Sequence, residues 1–238
     1  MPIYENFKRK IRTFFLPSIV SRSIDTPGTI GMQTLKSILS DSPTVIEIGA
    51  HIGTDTQKFA HTFPKGRVIA FEPHPSLYTK ALKSTLKYSN VTIVPIALSN
   101  RNGFSIFRQS SGSSDGSGSL LEPTLHLARH PNVRFLKSDQ IIVPVSTLDE
   151  YLQIAEIVDI ELIWIDAQGA ERMVFEGAEQ ALAQTKYVYC EISESSEYKN
   201  GATYAEIKEL LAQYGLQPIR EFIPPSWQGS GNVLFGRP

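Results

Sequence analysis

A pair of glycines beside an acidic residue stands near residue 50, within the stretch TVIEIGAHIGTD from Thr44 to Asp55. The β-branched run before Gly49 is typical of a buried strand, and Gly49 and Gly53 are typical of a tight turn into a helix. In open α/β sheets a nucleoside-type cofactor binds at such a turn, because the backbone can approach the ligand closely there. This stretch is therefore the predicted cofactor site.

The identity of the cofactor follows from the charge beside the turn. Dinucleotide sites use three glycines in the pattern GxGxxG, whereas this turn has two glycines and is preceded by Glu47. A carboxylate here would repel a diphosphate but would suit the ammonium and sulfonium groups of S-adenosylmethionine. Glu72, at the end of the second predicted strand, is placed to accept hydrogen bonds from a ribose diol, which nicotinamide cofactors also carry. Solvated strand ends are the alternative interpretation of both acids.

Asp166 follows the apolar run Glu161–Ile165 and is predicted to lie at the carboxyl edge of the sheet. Transfer of the methyl group of such a cofactor requires the acceptor atom to be aligned with the methyl group and the sulfur, and an acceptor that carries a proton must also lose it. Asp166 is our first candidate for that base, and His51 in the glycine turn is the second. The alternative role of Asp166 is the N-cap of the following helix.

The remaining site candidates lie beside the same predicted strand ends. The predicted cofactor contacts are Glu47, Gly49, Ala50, His51, Gly53, Asp55, Glu72, Pro73, Ala97, Leu98 and Asp166. The predicted acceptor contacts are Gln168, Glu171, Glu191 and Ser119. Glu171 has an alternative role beside a helix dipole. No metal site is expected, because His61, His126 and His130 show no metal-ligand spacing with Cys or acidic partners.

The elements that must position these residues alternate along the chain. Such alternation, with right-handed crossovers, predicts a doubly wound parallel sheet. After the first strand, strands are predicted at Arg67–Phe71, Val91–Leu98, Glu161–Ile165 and Tyr187–Ile192; helices are predicted at Met32–Leu39, from a Thr54 or Asp55 cap to Phe63, from Pro75, at Glu171–Ala183 and at Tyr204–Tyr214. The last two strands, Gln217–Ile223 and Asn232–Phe235, are joined by a short loop and must pair antiparallel.

An insertion between the third and fourth strands has a different composition. Alternating residues around Ile106 predict an added hairpin strand, and Ile141–Val145 predicts another, followed by a short helix capped by Thr147. The segment Gln109–Ser119 consists of Ser, Gly, Gln and Asp, so we expect a mobile loop. A lid that grips the substrate and a plain disordered insertion are equally favoured.

Composition limits the class of protein and its partners. With 238 residues, of which 41% are hydrophobic, the chain can bury a full core without a metal or a disulfide. A net charge of −1 gives no broad basic field, so nucleic acid is not an expected partner. The lone Cys190 lies in an apolar run and is expected to be a buried small hydrophobe, in keeping with a reducing cytoplasm.

The first 40 residues are expected to form an arm and a loop, followed by one domain over residues 41–238. Apolar residues recur at helical spacing between the cations of residues 3–15, which predicts a basic amphipathic helix. Such a helix suits a peripheral position on an anionic membrane surface. Packing of the arm on its own domain, or on a second subunit of a homodimer, is the alternative that we favour. No apolar run reaches the roughly 18 residues that cross a bilayer.

The motifs together resemble the FkbM-type S-adenosylmethionine-dependent methyltransferases. They are EIGAHIG, FEPHP, ALSNRNG, STLDEY, WIDAQGAE and NVLF, in this order from about Thr44 to Phe235. The resemblance implies a class I methyltransferase (Rossmann-like) fold with a seven-stranded, mostly parallel sheet, an antiparallel last strand and helices on both faces. It also implies O-methylation of a hydroxyl group on a small-molecule or saccharide acceptor, such as a sugar or a polyketide-type natural product. Where many relatives have a second carboxylate in DxEGxE, this chain has Gln168, which weakens the case for a metal between residues 166 and 168.

Two other classes of function stay open on the sequence. A nicotinamide-dependent oxidoreductase or epimerase would need a third glycine and usually a Tyr-x-x-x-Lys pair, and Tyr198-Lys199 lacks that spacing. A non-catalytic scaffold subunit that binds the cofactor is the other alternative, against which the intact Glu47, glycine turn and Glu72 argue.

Overall fold

The structure, a computed structural model, describes residues 24–227 and 229–237. The strands of this part of the chain are β1 (Thr44–Ile48), β2 (Arg67–Phe71), β3 (Val91–Val94), β4 (Ala97–Leu98), β5 (Gly103–Arg108), β6 (Ser111–Gly112), β7 (Val133–Arg134), β8 (Gln140–Ser146), β9 (Leu162–Ile165), β10 (Tyr187–Ser193), β11 (Gln217–Phe222) and β12 (Ser230–Gly236). Its helices are α1 (Met32–Ile38), α2 (Thr54–Thr62), α3 (Pro75–Thr85), α4 (Leu125–Arg129), α5 (Leu148–Ile154), α6 (Glu171–Glu176), α7 (Glu179–Gln184) and α8 (Tyr204–Ala212), with 3₁₀ turns at Lys137–Asp139 and Pro225–Trp227.

Alternate residues of β1 pack on opposite faces of the sheet. Ile46 and Ile48 join a cluster that includes Phe175 of α6, whereas Val45 joins a second cluster with Phe59 of α2. Both faces are therefore covered by helices, as expected for a parallel sheet whose strands are apolar on both sides.

Seven strands form the main sheet in the order β11-β12-β10-β9-β1-β2-β3. Neighbouring strands from β10 to β3 pair in parallel, and β12 pairs antiparallel with both β10 and β11. This confirms the predicted sheet, including its antiparallel last strand. The strand order reverses between β1 and β9, so the carboxyl ends of these two strands lie side by side at the point where α/β sheets bind ligands.

Three predicted elements differ from the structure for local reasons. The strand predicted at Val91–Leu98 ends at Val94, because Pro95 has no N–H for the ladder and the chain turns there. The helix predicted at Glu171–Ala183 is split into α6 and α7 at Gly177, where a Cβ would lie 2.2 Å from the carbonyl oxygen of Ser99. The N-cap of α2 is Gly53, which has no side chain, and neither Thr54 nor Asp55 takes that role.

The insertion between β3 and β9 folds beside the main sheet. Its strands form a three-stranded sheet in the order β4-β8-β5 and a two-stranded pair of β6 with β7. The Ser-Gly segment is not the free loop that we expected, because small polar side chains can be buried when their hydrogen bonds are satisfied. Ser119 is 1% exposed and pairs with Arg108, and the backbone N–H of Ser117 donates to Ser110 Oγ at 2.9 Å.

The N-terminal region is described only from residue 24 onward. The predicted basic helix lies outside the described residues. Helix α1 packs on the domain through the buried Leu35, and the hydroxyl of Tyr189 in β10 accepts a hydrogen bond from the N–H of Ile30. In the described part of the chain, none of the helices combines the length and the apolar character that crossing a bilayer requires.

Candidate active site

A cavity of about 280 Å³ lies at the carboxyl ends of β1, β2 and β9. Ten of the eleven predicted cofactor contacts line it: Glu47, Gly49, Ala50, His51, Asp55, Glu72, Pro73, Ala97, Leu98 and Asp166. The remaining one, Gly53, lies behind the wall. Apolar side chains that the sequence reasoning did not single out, among them Leu77, Phe107 and Leu120, complete the lining. These polar and apolar walls together suit a ligand with charged ends and an aromatic base.

The two glycines of the turn are required by different neighbours. Gly49 has φ of 90°, and a Cβ there would lie 2.0 Å from the carbonyl oxygen of Asp166. Gly53 has φ of 81°, and its Cβ would lie 2.8 Å from Ser84 Oγ of α3. The first glycine thus lets β1 approach β9 at the cavity, whereas the second lets the start of α2 pack on α3, so the predicted cofactor contact of Gly53 is a packing role.

Two buried carboxyl groups face the cavity from β1 and from the end of β2. Glu72 is held by two backbone donors, since its Oε2 accepts from His51 N and its Oε1 from His74 N, both at 2.8 Å. Glu47 is 2% exposed and accepts a hydrogen bond from Thr56 Oγ1 of α2 at 2.6 Å. Burial raises the pKa of Glu47 to about 8, aided by the charge of Asp55, and burial raises the pKa of Glu72 to about 7. Neither acid is a solvated strand end.

A second cavity, of about 410 Å³, lies beside the first at the carboxyl ends of β9 and β10. Gln168 lines both cavities, so the two spaces meet at this residue. Three of the predicted acceptor contacts, Gln168, Glu171 and Glu191, line the second cavity. Its other residues are mostly polar: His126, Arg129, His130, Gly169, Ile192, Ser193, Ser196, Glu197, Tyr198, Ala202, Ile207, Ser226 and Ser230.

The amide of Gln168 connects two carboxyl groups at the boundary between the cavities. Its Nε2 donates to Asp166 Oδ1 at 2.6 Å and to Glu191 Oε2 at 3.0 Å, and its Oε1 lies 3.1 Å from the hydroxyl of Tyr198. Burial, and next the charge of Asp166, raises the pKa of Glu191 well above its usual value. Ionisation of Glu191 is therefore disfavoured beside Asp166.

Asp166 does not cap the following helix, which removes the alternative that the sequence left open. Helix α6 begins at Glu171, its N-cap is Ala170, and no side chain caps it. The carboxylate of Glu171 instead accepts from Ala167 N at 2.9 Å and Gly169 N at 3.2 Å. Glu171 thus shapes the turn after β9, and Asp166 is exposed at the cavity rim.

Ser119 does not fit the acceptor contact that we predicted. Its hydroxyl donates to the carbonyl oxygen of Gln168 at 2.8 Å and accepts from Leu121 N at 2.9 Å. Its side chain is buried and lines neither cavity. The geometry gives Ser119 the role of fixing the insertion against the turn that carries Gln168.

His51 and the Ser-Gly segment meet over the first cavity. The Nε2 atom of His51 lies 2.9 Å from Asp115 Oδ1, and Asp115 Oδ2 lies 3.6 Å from Lys80 Nζ of α3. Asp115, Gly116 and His51 all line the first cavity, and none lines the second. This placement puts His51 at the first cavity alone, away from the second cavity where three predicted acceptor contacts lie, and the Ser-Gly segment covers the first cavity. Asp115 is the single charged residue of that segment, a signal that the sequence reasoning did not use.

Comparison with known proteins gives one family. The family model for the methyltransferase FkbM domain matches residues 47–218. The 2-O-methyltransferase NoeI of Sinorhizobium fredii is 30% identical over 189 residues, which cover 77% of this chain and 77% of that protein.

Solved structures share the fold at low sequence identity. The methyltransferase FkbM from Methylobacillus flagellatus KT has a TM-score of 0.54 at 13% identity, covering 84% of this chain and 45% of that chain. The chain therefore spans less than half of that protein. An rRNA methylase from Streptococcus thermophilus has a TM-score of 0.50 at 13% identity, covering 87% of this chain and 93% of that chain. These likenesses support the class I methyltransferase fold.

Proposed function

Because the chain belongs to the FkbM family of S-adenosylmethionine-dependent methyltransferases, we propose that it methylates a hydroxyl oxygen of a sugar or natural-product acceptor. Membership of this family makes S-adenosylmethionine the cofactor and removes the nicotinamide alternative. The choice of an oxygen acceptor is supported by the similarity to NoeI, a 2-O-methyltransferase. It is also supported by the second cavity, whose serine, carboxyl and amide groups can exchange hydrogen bonds with several hydroxyl groups.

The first cavity fits the cofactor in the charge and placement of its groups. Glu72 is held by backbone N–H groups with its oxygens at the cavity wall, so it would accept hydrogen bonds from the ribose hydroxyls. Glu47 offers a buried carboxyl group to the cationic amino-acid end. Because Gly49 approaches β9 too closely to carry a side chain, the turn offers bare backbone at the centre of the site. When bound, S-adenosylmethionine supplies a methyl group already activated by its sulfonium.

The residues at the boundary between the cavities would align the acceptor and take its proton. The single observation that carries this role is that Gln168 lines both cavities and binds Asp166 and Glu191 through one amide nitrogen. An acceptor hydroxyl in the second cavity would reach the first at this point. The carboxylate of Asp166, which we assign as the base, would accept the hydroxyl proton as the new carbon–oxygen bond forms and the bond between the methyl carbon and the sulfur breaks.

The experiment compares Asp166→Asn with the wild type in transfer of a radiolabelled methyl group to fractionated glycans and small molecules, followed by mass-spectrometric location of the label. We expect the label on a hydroxyl oxygen and a decrease in turnover of about 10²- to 10⁴-fold for the variant. The affinity for S-adenosylhomocysteine, measured by calorimetry, should stay within about threefold, because Glu47 and Glu72 are unchanged. Asp159→Asn, at an exposed position before β9 that lines neither cavity, is the matched control.

Two results would contradict the proposal. Label on nitrogen or carbon would refute O-methylation, and unchanged turnover of Asp166→Asn would refute its role as base. Wild-type protein that binds S-adenosylhomocysteine but transfers no label to any fraction would instead support the scaffold alternative.

A further inference from the structure

Two histidines and a glutamate meet in the wall of the second cavity. His126 and His130 lie one helical turn apart on and just after α4, and their ring centroids are 4.6 Å apart. Glu197, from the segment after β10, places Oε2 2.9 Å from His126 Nδ1. One ligand atom from each of the three residues lies within 4.8 Å of the other two. No metal site was expected at these histidines, because their acidic partner Glu197 is far away in the chain.

His126 has a hydrogen-bonding group that its surroundings leave unused. Its side chain is 7% exposed, and its Nε2 atom has no hydrogen-bond partner among the described residues. A buried polar nitrogen without a partner destabilises the fold, so such an atom calls for an explanation. The 2.9 Å between His126 Nδ1 and Glu197 Oε2 is close to the separation of two ligand atoms that each lie about 2.0–2.2 Å from one ion, so these two atoms can bind the same ion.

The segments that carry the cluster are fixed to each other by backbone contacts. The carbonyl oxygen of Glu197 accepts from Thr124 N at 2.9 Å, from Thr124 Oγ1 at 3.0 Å and from His126 N at 3.1 Å. Arg129 donates to Glu197 Oε1 at 2.6 Å. The Glu197 carboxylate is therefore already placed beside the imidazoles, as a metal ligand must be.

We propose that His126, His130 and Glu197 bind one divalent transition-metal ion in the wall of the second cavity. Two imidazole nitrogens and one carboxylate oxygen are ligands that suit Zn²⁺ and Co²⁺, and they suit Mg²⁺ and Ca²⁺ poorly. Three protein ligands leave at least one coordination position for water or another oxygen. The nearby Arg129 adds positive charge, so we expect weaker binding than at a closed structural zinc site.

The position of the cluster suggests what the open coordination position does. His126, His130 and Glu197 line the cavity in which we place the acceptor, so an ion there would hold a hydroxyl group of the acceptor. This part rests on the proposed function, whereas binding of the ion does not. The ion would position the acceptor, and the proton would still pass to the carboxylate pair at Gln168.

Titration with Co²⁺ tests the site, because Co²⁺ bound by nitrogen in a four- or five-coordinate site absorbs visible light more strongly than the hydrated ion. The full chain, freed of metal with a chelator, is titrated while absorbance and calorimetric heat are recorded. We expect one Co²⁺ per chain, displaced by Zn²⁺. His130→Gln changes an exposed residue, and Glu197→Gln keeps the side-chain shape; each should weaken binding at least about tenfold. His61→Gln, an exposed histidine on α2, is the matched control and should bind as the wild type does.

The outcomes separate the metal site from the methyltransferase proposal. Absence of saturable Co²⁺ binding, or an unchanged spectrum in His130→Gln and Glu197→Gln, would overturn the site. Binding of S-adenosylhomocysteine by all three variants shows that they are folded and that the first cavity is intact. Failure of methyl transfer to every acceptor, with Co²⁺ binding lost only in His130→Gln and Glu197→Gln, would retain the metal site and refute the proposed reaction.

Discussion

Replacement of Glu47 by glutamine should stabilise the free protein at alkaline pH and weaken binding of the methyl donor. Glu47 is almost completely buried between β1 and α2, and burial raises its pKa from 4.5 to about 8. In the unfolded chain the same carboxyl group ionises near its usual value. A folded-state pKa that is raised in this way stabilises the fold at low pH, and that contribution is lost as the pH rises through the folded value. Ionised Glu47 in the ligand-free protein is thus destabilising.

The size of the effect follows from the two pKa values of Glu47. Integrating the difference in bound protons between pH 6 and pH 9 gives a loss of roughly 2–3 kcal/mol in the free energy of unfolding from this residue. The variant Glu47→Gln cannot ionise, so its unfolding free energy should gain this amount relative to wild type between pH 6 and pH 9. Other buried acids, such as Glu72, titrate in both proteins, and their contribution cancels in the comparison.

The assay is urea denaturation of both proteins at pH 6 and pH 9, with the exposed Glu122→Gln as control. Calorimetric titration with S-adenosylhomocysteine then measures cofactor binding. The affinity of the wild type should rise between pH 6 and pH 8, with release of protons, because the ammonium group of the ligand favours ionised Glu47. The variant should bind more weakly and with a smaller pH dependence. A stability difference between Glu47→Gln and wild type that does not change with pH would show that Glu47 ionises normally, and the reasoning would fail.

Two further predictions concern the same cavity. Glu72→Ala removes two backbone hydrogen bonds to the carboxylate and the proposed contact with the ribose, so the affinity for S-adenosylhomocysteine should fall by about 10- to 100-fold in calorimetry. Glu72→Gln should lose less affinity. Equal affinity in the wild type and both variants would exclude the contact. Gly49→Ala should destabilise the protein by more than the roughly 1–2 kcal/mol of a left-handed backbone, because its Cβ would meet the carbonyl of Asp166. Gly103 also has positive φ, but no atom lies within 4 Å of an added Cβ, so Gly103→Ala measures the backbone contribution alone in urea denaturation. Equal losses of unfolding free energy in the two variants would refute the contact argument.

The main sheet was predictable because the strands that build it carry strong local signals. The runs that form β1, β2 and β9 are short, β-branched and followed at once by a glycine or an acidic residue, and the structure has them within one residue of the predicted bounds. The predicted bounds are wrong where a single residue ends a strand early, as Pro95 does after β3. The split between α6 and α7 depends on contact of Gly177 with Ser99, which is distant in sequence. Such a contact leaves no periodic signal.

The candidate site was predictable where a residue follows directly from a strand end. Glu47 and Glu72 lie at the cofactor cavity because parallel strands end at the same edge of the sheet. The second cavity was predicted only in part, because its far wall comes from α4 and from the segment after β10, which the hydrogen bonds of Thr124 to Glu197 bring together. Composition indicated a free Ser-Gly loop, whereas hydrogen bonds between its own side chains and backbone allow it to cover the cofactor cavity.

Gln168 shows why a residue that departs from the common family pattern can still serve the reaction that we propose. A carboxylate at this position would be a third carboxyl group beside Asp166 and Glu191, and like charges at such distances oppose ionisation of the group that must act as base. The amide instead donates to both acids through Nε2 and accepts from Tyr198 through Oε1. It is held with φ of 52°, an uncommon backbone conformation for a residue other than glycine, which places its amide where the two cavities meet. The neutral amide therefore joins the two acids without adding charge, and the ion that we propose lies instead at His126, His130 and Glu197.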